Sequence, residues 1–132
     1  MKQTDQHPQD GPHREVFTDG TLAAEGTYQS GKKHGRWQYF YKNGQPKAIG
    51  EYVGGELYGQ WEWWRANAQP FQAGAFELGV QVGTWTRHYD NGQLWDTGAY
   101  DDGKKVGLWV VYDRFGAGKQ SKVFTPRKTK PA

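Results

Sequence analysis

The sequence predicts an all-β protein built from tandem 24-residue β-hairpin repeats that form an elongated, twisted antiparallel meander sheet. Three observations carry this. Gly26, Gly50, Gly74 and Gly98 recur every 24 residues, each in a G-x-aromatic unit ending at Tyr28, Tyr52, Phe76 or Tyr100. In phase with them, Gly35, Gly59, Gly83 and Gly107 each open a G-x-W unit ending at Trp37, Trp61, Trp85 or Trp109. The composition agrees: 19 glycines against 7 Trp, 8 Tyr and 6 Phe place apolarity in rings and freedom in the backbone, which suits short strands and tight turns.

The elements follow in order. Residues 1–12 read as a polar N-terminal tail, 13–124 as the repeat domain and 125–132 as a basic C-terminal tail, both tails disordered. A half repeat at 13–25 precedes four full repeats at 26–49, 50–73, 74–97 and 98–121. Each repeat holds two strands and two turns. Asp19-Gly20, Asn43-Gly44, Asn67-Ala68, Asn91-Gly92 and Phe115-Gly116 mark one turn series, read as two-residue type I′ hairpins. Gly31-Lys32, Gly55-Glu56, Gly79-Val80 and Gly103-Lys104 mark the other, read as Gly-X type II′ turns. The apolar pairs Val16-Phe17 and Val123-Phe124 are expected to cap the two edges against further strand pairing.

Those turns set a register. It places Trp37 opposite Gly50 and Gly35 opposite Tyr52, then Gly50 opposite Trp61 and Tyr52 opposite Gly59. Two rows of alternating ring and glycine thus cross one face. A ring over a glycine shields backbone, and the glycine leaves the ring its space. The predicted core is this set of columns: Tyr28, Trp37, Tyr52, Trp61, Phe76, Trp85, Tyr100 and Trp109 with Gly26, Gly35, Gly50, Gly59, Gly74, Gly83, Gly98 and Gly107.

With its columns aligned, the chain resembles the membrane occupation and recognition nexus (MORN) repeat family, and more closely its bacterial variant. The resemblance is clearest in Gly26–Gly50, GTYQSGKKHGRWQYFYKNGQPKAIG, and in Gly98–Trp109, and it extends over about residues 13–124. It implies a β-hairpin scaffold that binds other molecules, usually proteins and in some members lipids. For the bacterial variant it also implies the antitoxin half of a toxin–antitoxin pair. The sequence departs from the pattern at Ala68, at Phe115 and at Glu56-Leu57-Tyr58-Gly59.

On the opposite face the same register aligns Phe40, Lys47, Trp64, Phe71, His88, Trp95 and Tyr112 beside the Asn-Gly turns. A single sheet has no second layer to cover such a row, so its rings Phe40, Trp64, Phe71, Trp95 and Tyr112, with His88, are the candidate partner-binding residues. Arg36 and Glu51 face one another beside it.

Little else carries chemistry. With no cysteine, disulfides, thiolate zinc sites and cysteine nucleophiles are excluded. His7, His13, His34 and His88 have no metal-ligand spacing, and Asp90 and Asp101-Asp102 fall in turns. No phosphate-binding loop or nucleophile elbow occurs in a strand-to-helix context, and carboxylates recur with the turns instead of converging. The expectation is a protein with no catalytic residue, no metal and no cofactor.

The net charge of +3 is concentrated at one end. Lys119, Lys122, Arg127, Lys128 and Lys130 stand without an acid in residues 119–132. The remaining chain is slightly acidic. A basic tail on a near-neutral body reads as a solvated end more than as a nucleic-acid surface. No apolar leader stands at Met1–His13 and no run reaches membrane-spanning length, so a cytoplasmic location is expected. The leading functional reading is a scaffold for protein–protein interaction, antitoxin- or immunity-like toward a bacterial toxin. Next comes a carbohydrate- or choline-binding module using stacked aromatics. Third is contact with anionic lipid or nucleic acid through Lys32, Lys33, Lys104, Lys105 and the basic tail.

Overall fold

The computed structural model describes residues 10–125. They form one ten-stranded antiparallel sheet in which every strand pairs with its sequence neighbours. The strands are β1 (Gly11–Val16), β2 (Leu22–Gln29), β3 (Lys32–Phe40), β4 (Pro46–Val53), β5 (Glu56–Trp64), β6 (Pro70–Glu77), β7 (Val80–His88), β8 (Leu94–Asp101), β9 (Lys104–Tyr112) and β10 (Lys119–Phe124). The described residues hold no helix, and the sheet does not close: β1 and β10 lie at opposite edges. At roughly 4.8 Å per strand the ribbon is about 45 Å wide. Of the predicted N-terminal tail, residues 1–9 lie outside the described residues, whereas Gly11 and Pro12 belong to β1. The predicted basic tail lies outside them except for Thr125.

The strands form where the ring and glycine columns put them, but the turns differ from expectation on both sides. The short turns are Ser30-Gly31, Gly54-Gly55, Leu78-Gly79 and Asp102-Gly103, with both residues of each pair at positive φ. They are type I′ turns one residue earlier than the expected type II′ pairs, so Val53 faces Glu56 across Gly54-Gly55. The Asn-Gly turns, in contrast, are three-residue loops. Gly44 N donates to Tyr41 O at 2.9 Å and Tyr41 N to Gln45 O at 2.8 Å. Gly44 alone in that loop has positive φ, 89°. This is a type I turn closed by a left-handed residue. The asparagine serves the loop through its side chain: Gln45 N donates to Asn43 Oδ1 at 2.9 Å, and Gln93 N to Asn91 Oδ1 at 2.9 Å.

Each loop type brings its own β-bulge. Next to the three-residue loops the pairing runs Phe40 to Pro46 and then Tyr39 to Ala48, leaving Lys47 unpaired. That extra residue restores the predicted register, so Trp37 does face Gly50 and Gly35 does face Tyr52. On the other side Ile49 pairs with Glu62 but Glu51 with Tyr58. Gly50 therefore spans Gly59, Gln60 and Trp61, and Tyr52 faces Leu57 instead of the expected Gly59.

The core is a line of four indoles on one face. Trp37, Trp61, Trp85 and Trp109 are 0–5% exposed although no second layer among the described residues covers them. Each lies flat on the glycine of the preceding strand; a Cβ at Gly50 would stand 1.9 Å from Trp61 Cδ2. Tyr28 and Tyr52 abut Trp37 edge-on, with centroids 5.3 and 6.2 Å away. Each indole Nε1 donates to a carbonyl ten residues back, such as Glu51 O for Trp61 at 3.1 Å. An aromatic body with one satisfied donor is what a dry, one-sided core requires.

At the edges the expected caps hold in part, through Phe124. Val16 and Val123 are 60% and 67% exposed and cover nothing of the core. His13 occupies the tryptophan column instead, edge-on to Tyr28 at 5.0 Å. At the far edge Phe124 stands edge-on to Trp109 at 6.5 Å. Lys122 replaces the glycine on which a further indole would rest. Terminal units of a repeat stack are expected to break the pattern in this way.

Candidate interaction surface

The loop bulges divide the predicted partner row. Phe40, Trp64, His88 and Tyr112 share one register position, the last residue of their strands, opposite Pro46, Pro70, Leu94 and Lys119. Alternation along each strand places them on the face away from the indoles. Phe71 and Trp95, like Lys47, are bulge residues and do not join that row. They meet the residue that opens their own loop instead. The Arg65 guanidinium lies 4.4 Å from the Phe71 ring centroid, Trp95 stacks on Tyr89 at 4.9 Å, and Lys47 Nζ is 5.7 Å from Tyr41. The correction has a local cause. A three-residue loop adds one residue to the hairpin, and the bulge that absorbs it turns a side chain out of alternation.

On the second face Trp64, Pro70 and His88 border a cleft of about 130 Å³, with Glu62, Ala73 and Thr86 as its inner wall. His88 Nδ1 is buried there without a hydrogen-bond partner among the described residues. Leu108 and Val123, paired across β9 and β10, extend the apolar surface at 57% and 67% exposure. Arg36 and Glu51 are directly opposite, as expected, yet no ion pair forms between them.

Sequence reading missed a third row on the indole face. Tyr39, Trp63 and Arg87 stand two residues beyond their tryptophans, hence on the same side. Tyr39 and Trp63 fill the intervals between indoles, with centroid separations of 5.7–6.4 Å. The signal was present as the W-x-aromatic spacing of Trp37-x-Tyr39 and Trp61-x-Trp63. Around Tyr39 the lysine expected to serve a turn is folded inward. Lys33 Nζ donates to the Tyr39 hydroxyl at 2.9 Å and lies 4.9–5.3 Å from the Trp37, Tyr39 and Tyr52 rings. Tyr39 and Tyr52 hydroxyls share a hydrogen bond of 2.8 Å, and burial pushes both phenols above their ordinary range. Lys105 does the same over Trp109, at 4.5 Å.

A second missed column ties successive repeats together. The Tyr41 hydroxyl donates to Trp64 O and the Tyr89 hydroxyl to Tyr112 O, both at 2.7 Å. Arg65 Nη2 donates to His88 O at 2.9 Å from the equivalent place. Asn43 and Asn91 reach the next loop similarly, to Ala66 O and Arg114 O at 2.9 Å. Among the described residues no three His, Asp or Glu side chains gather at one point, and no helix is long and apolar enough to cross a membrane.

One family profile agrees with this architecture. The profile of the MORN repeat variant matches residues 33–53 and 81–104, which correspond to the β3–β4 hairpin and to β7–β8 with the following turn. MORN repeats are generally repeat modules for binding. No curated protein matches the chain. Among solved structures, a crystal structure of a GtfA/B complex bound to UDP and GlcNAc is similar at 13% identity and a TM-score of 0.34. That alignment takes in 89% of this chain and 23% of the other.

Proposed function

We propose that the protein is a non-catalytic scaffold for protein–protein interaction. The observation that carries this reading is the second face, where Phe40, Trp64, His88 and Tyr112 form a half-buried, largely aromatic row that no second layer among the described residues covers. Apolar surface left open on a folded domain is the usual footprint of a partner. The finer reading is an antitoxin- or immunity-like scaffold that masks a bacterial toxin in the cytoplasm. It rests on the resemblance of Gly26–Gly50 to the bacterial repeat variant.

Two features weigh against the other readings. Sugar and quaternary-amine sites use open ring faces, whereas the four indoles here are at most 5% exposed. A lysine stripe for phosphates needs ammonium groups turned outward, whereas Lys33 Nζ lies over the Trp37, Tyr39 and Tyr52 rings and donates to the Tyr39 hydroxyl. The test is affinity capture from the native lysate by wild type and by Phe40→Ala/Trp64→Ala, with circular dichroism to check the fold. Loss of a specific protein by a folded variant supports the second face. Identical captures refute it as the partner site.

A further inference from the structure

The line of rings on the core face is interrupted between Trp85 and Trp109. Tyr39 fills the interval between the first two indoles and Trp63 the next, but the third holds Arg87. Its guanidinium is drawn aside. Nε and Nη2 donate to the two oxygens of Asp96 at 3.1 and 2.8 Å, and Cζ lies 3.7 Å from the Trp95 ring centroid. What remains is a cavity of about 140 Å³ lined by Trp85, Trp109, Arg87, Asp96, Tyr100 and Lys105, among others.

The lining has a definite chemical sense. Arg87 and Lys105 against Asp96 leave one net positive charge. Asp96 is 5% exposed and already takes both bonds from Arg87. Arg87 Nη1, Lys105 Nζ and the Tyr100 hydroxyl have no hydrogen-bond acceptor among the described residues. A guanidinium bound side-on to one carboxylate keeps its end edge for a second, and a fork of that kind fits a carboxylate bidentately. These donors are open to solvent, and an inserted neutral ring would strip their water and give them no acceptor in return. A carboxylate would satisfy them, and the indole walls would strengthen the attraction by excluding water.

We infer that this slot receives the carboxylate of an acidic side chain on a protein partner. The inference rests on the protein-binding reading and specifies the chemistry of one contact, on the face opposite the Phe40–Trp64 row. Among the four repeats only the third offers it, since the equivalent pairs are Tyr39 opposite Ala48, Trp63 opposite Gln72 and Val111 opposite Gln120.

That equivalence supplies the test. Arg87→Trp/Asp96→Gln copies a pair that the sheet already accommodates and closes the slot with a ring. Indole N–H resonances of ¹⁵N-labelled protein are followed while acetyl-Gly-Glu-Gly-amide, acetyl-Gly-Gln-Gly-amide or inorganic phosphate is added. The expected result is a saturable shift at Trp85 and Trp109 with the Glu peptide, none at Trp37, and little response to the Gln peptide. The folded double variant should bind the Glu peptide about tenfold more weakly or not at all. Equal responses to the Glu and Gln peptides, or to phosphate, overturn the carboxylate assignment, as does undiminished binding by the double variant. If the lysate partner is still captured when the Glu peptide fails to bind, this inference falls and the scaffold reading stands.

Discussion

Gly50→Ala tests the physical basis of the core most directly. The new Cβ would stand 1.9, 2.0 and 2.4 Å from Cδ2, Cε2 and Cγ of Trp61. Ordinary carbon contacts begin near 3.5 Å, so the indole must lift by about 1.5 Å. Lifting strains its Nε1 bond to Glu51 O at 3.1 Å and its edge contact with Tyr52 at 5.2 Å. Overpacking costs about 1–3 kcal/mol, a hydrogen bond about 0.5–1.5 and an aromatic pair a similar amount, giving a loss of about 2–6 kcal/mol. Trp61→Ala alone should cost about 3–5 kcal/mol. If the ring is the obstacle, Gly50→Ala in the Trp61→Ala background should cost less than about 1 kcal/mol, a coupling of at least about 1 kcal/mol. Urea unfolding of the four proteins, followed by circular dichroism, measures the cycle. Equal costs of Gly50→Ala in the two backgrounds would refute the claim that glycine is there for the ring.

Three further expectations follow from particular residues. Ala68 and Leu78 hold φ of +74° and +49° where the other repeats place glycine, serine or aspartate; Ala68→Gly and Leu78→Gly should each stabilise by about 0.5–1 kcal/mol, read from the urea midpoint, and destabilisation would contradict the assigned turn geometry. Tyr41→Phe and Tyr89→Phe each remove one bond between repeats and should cost about 1 kcal/mol apiece, additively; a double variant as stable as wild type would deny these bonds a role. Asp113 is pushed upward by loss of hydration, but N–H groups of Gly118, Ala117, Phe115 and Gly116 together hold its carboxyl below 3.8. A depressed folded value gives stability that is complete above roughly pH 4 and disappears as pH falls through the folded pKa. Asp113→Ala should therefore lower Tm at pH 7, with the gap to wild type closing as pH falls through the folded value; a gap independent of pH would exclude this origin.

Much of the architecture was legible because the repeat states it four times. The phase of Gly26, Gly50, Gly74 and Gly98 against Trp37, Trp61, Trp85 and Trp109 determines a hairpin array and selects the buried face. It also determines which residues pair beside the Asn-Gly loops, since Trp37 faces Gly50 whichever turn joins them. What it could not determine is where extra residues are absorbed. Asn43-Gly44 suits both a two-residue and a three-residue loop, and the chain takes the longer one, with Tyr41 N closing on Gln45 O. The bulges follow from that choice, and with them the separation of Phe71 and Trp95 from Phe40, Trp64, His88 and Tyr112. Arg87 shows the same division. The sequence by itself announces that a ring is missing after Trp85, because Arg87 stands where Tyr39 and Trp63 stand. Only the tertiary structure decides that Asp96 and Trp95 draw the guanidinium aside and leave a slot, because side chains brought together by register compete for one cation in three dimensions.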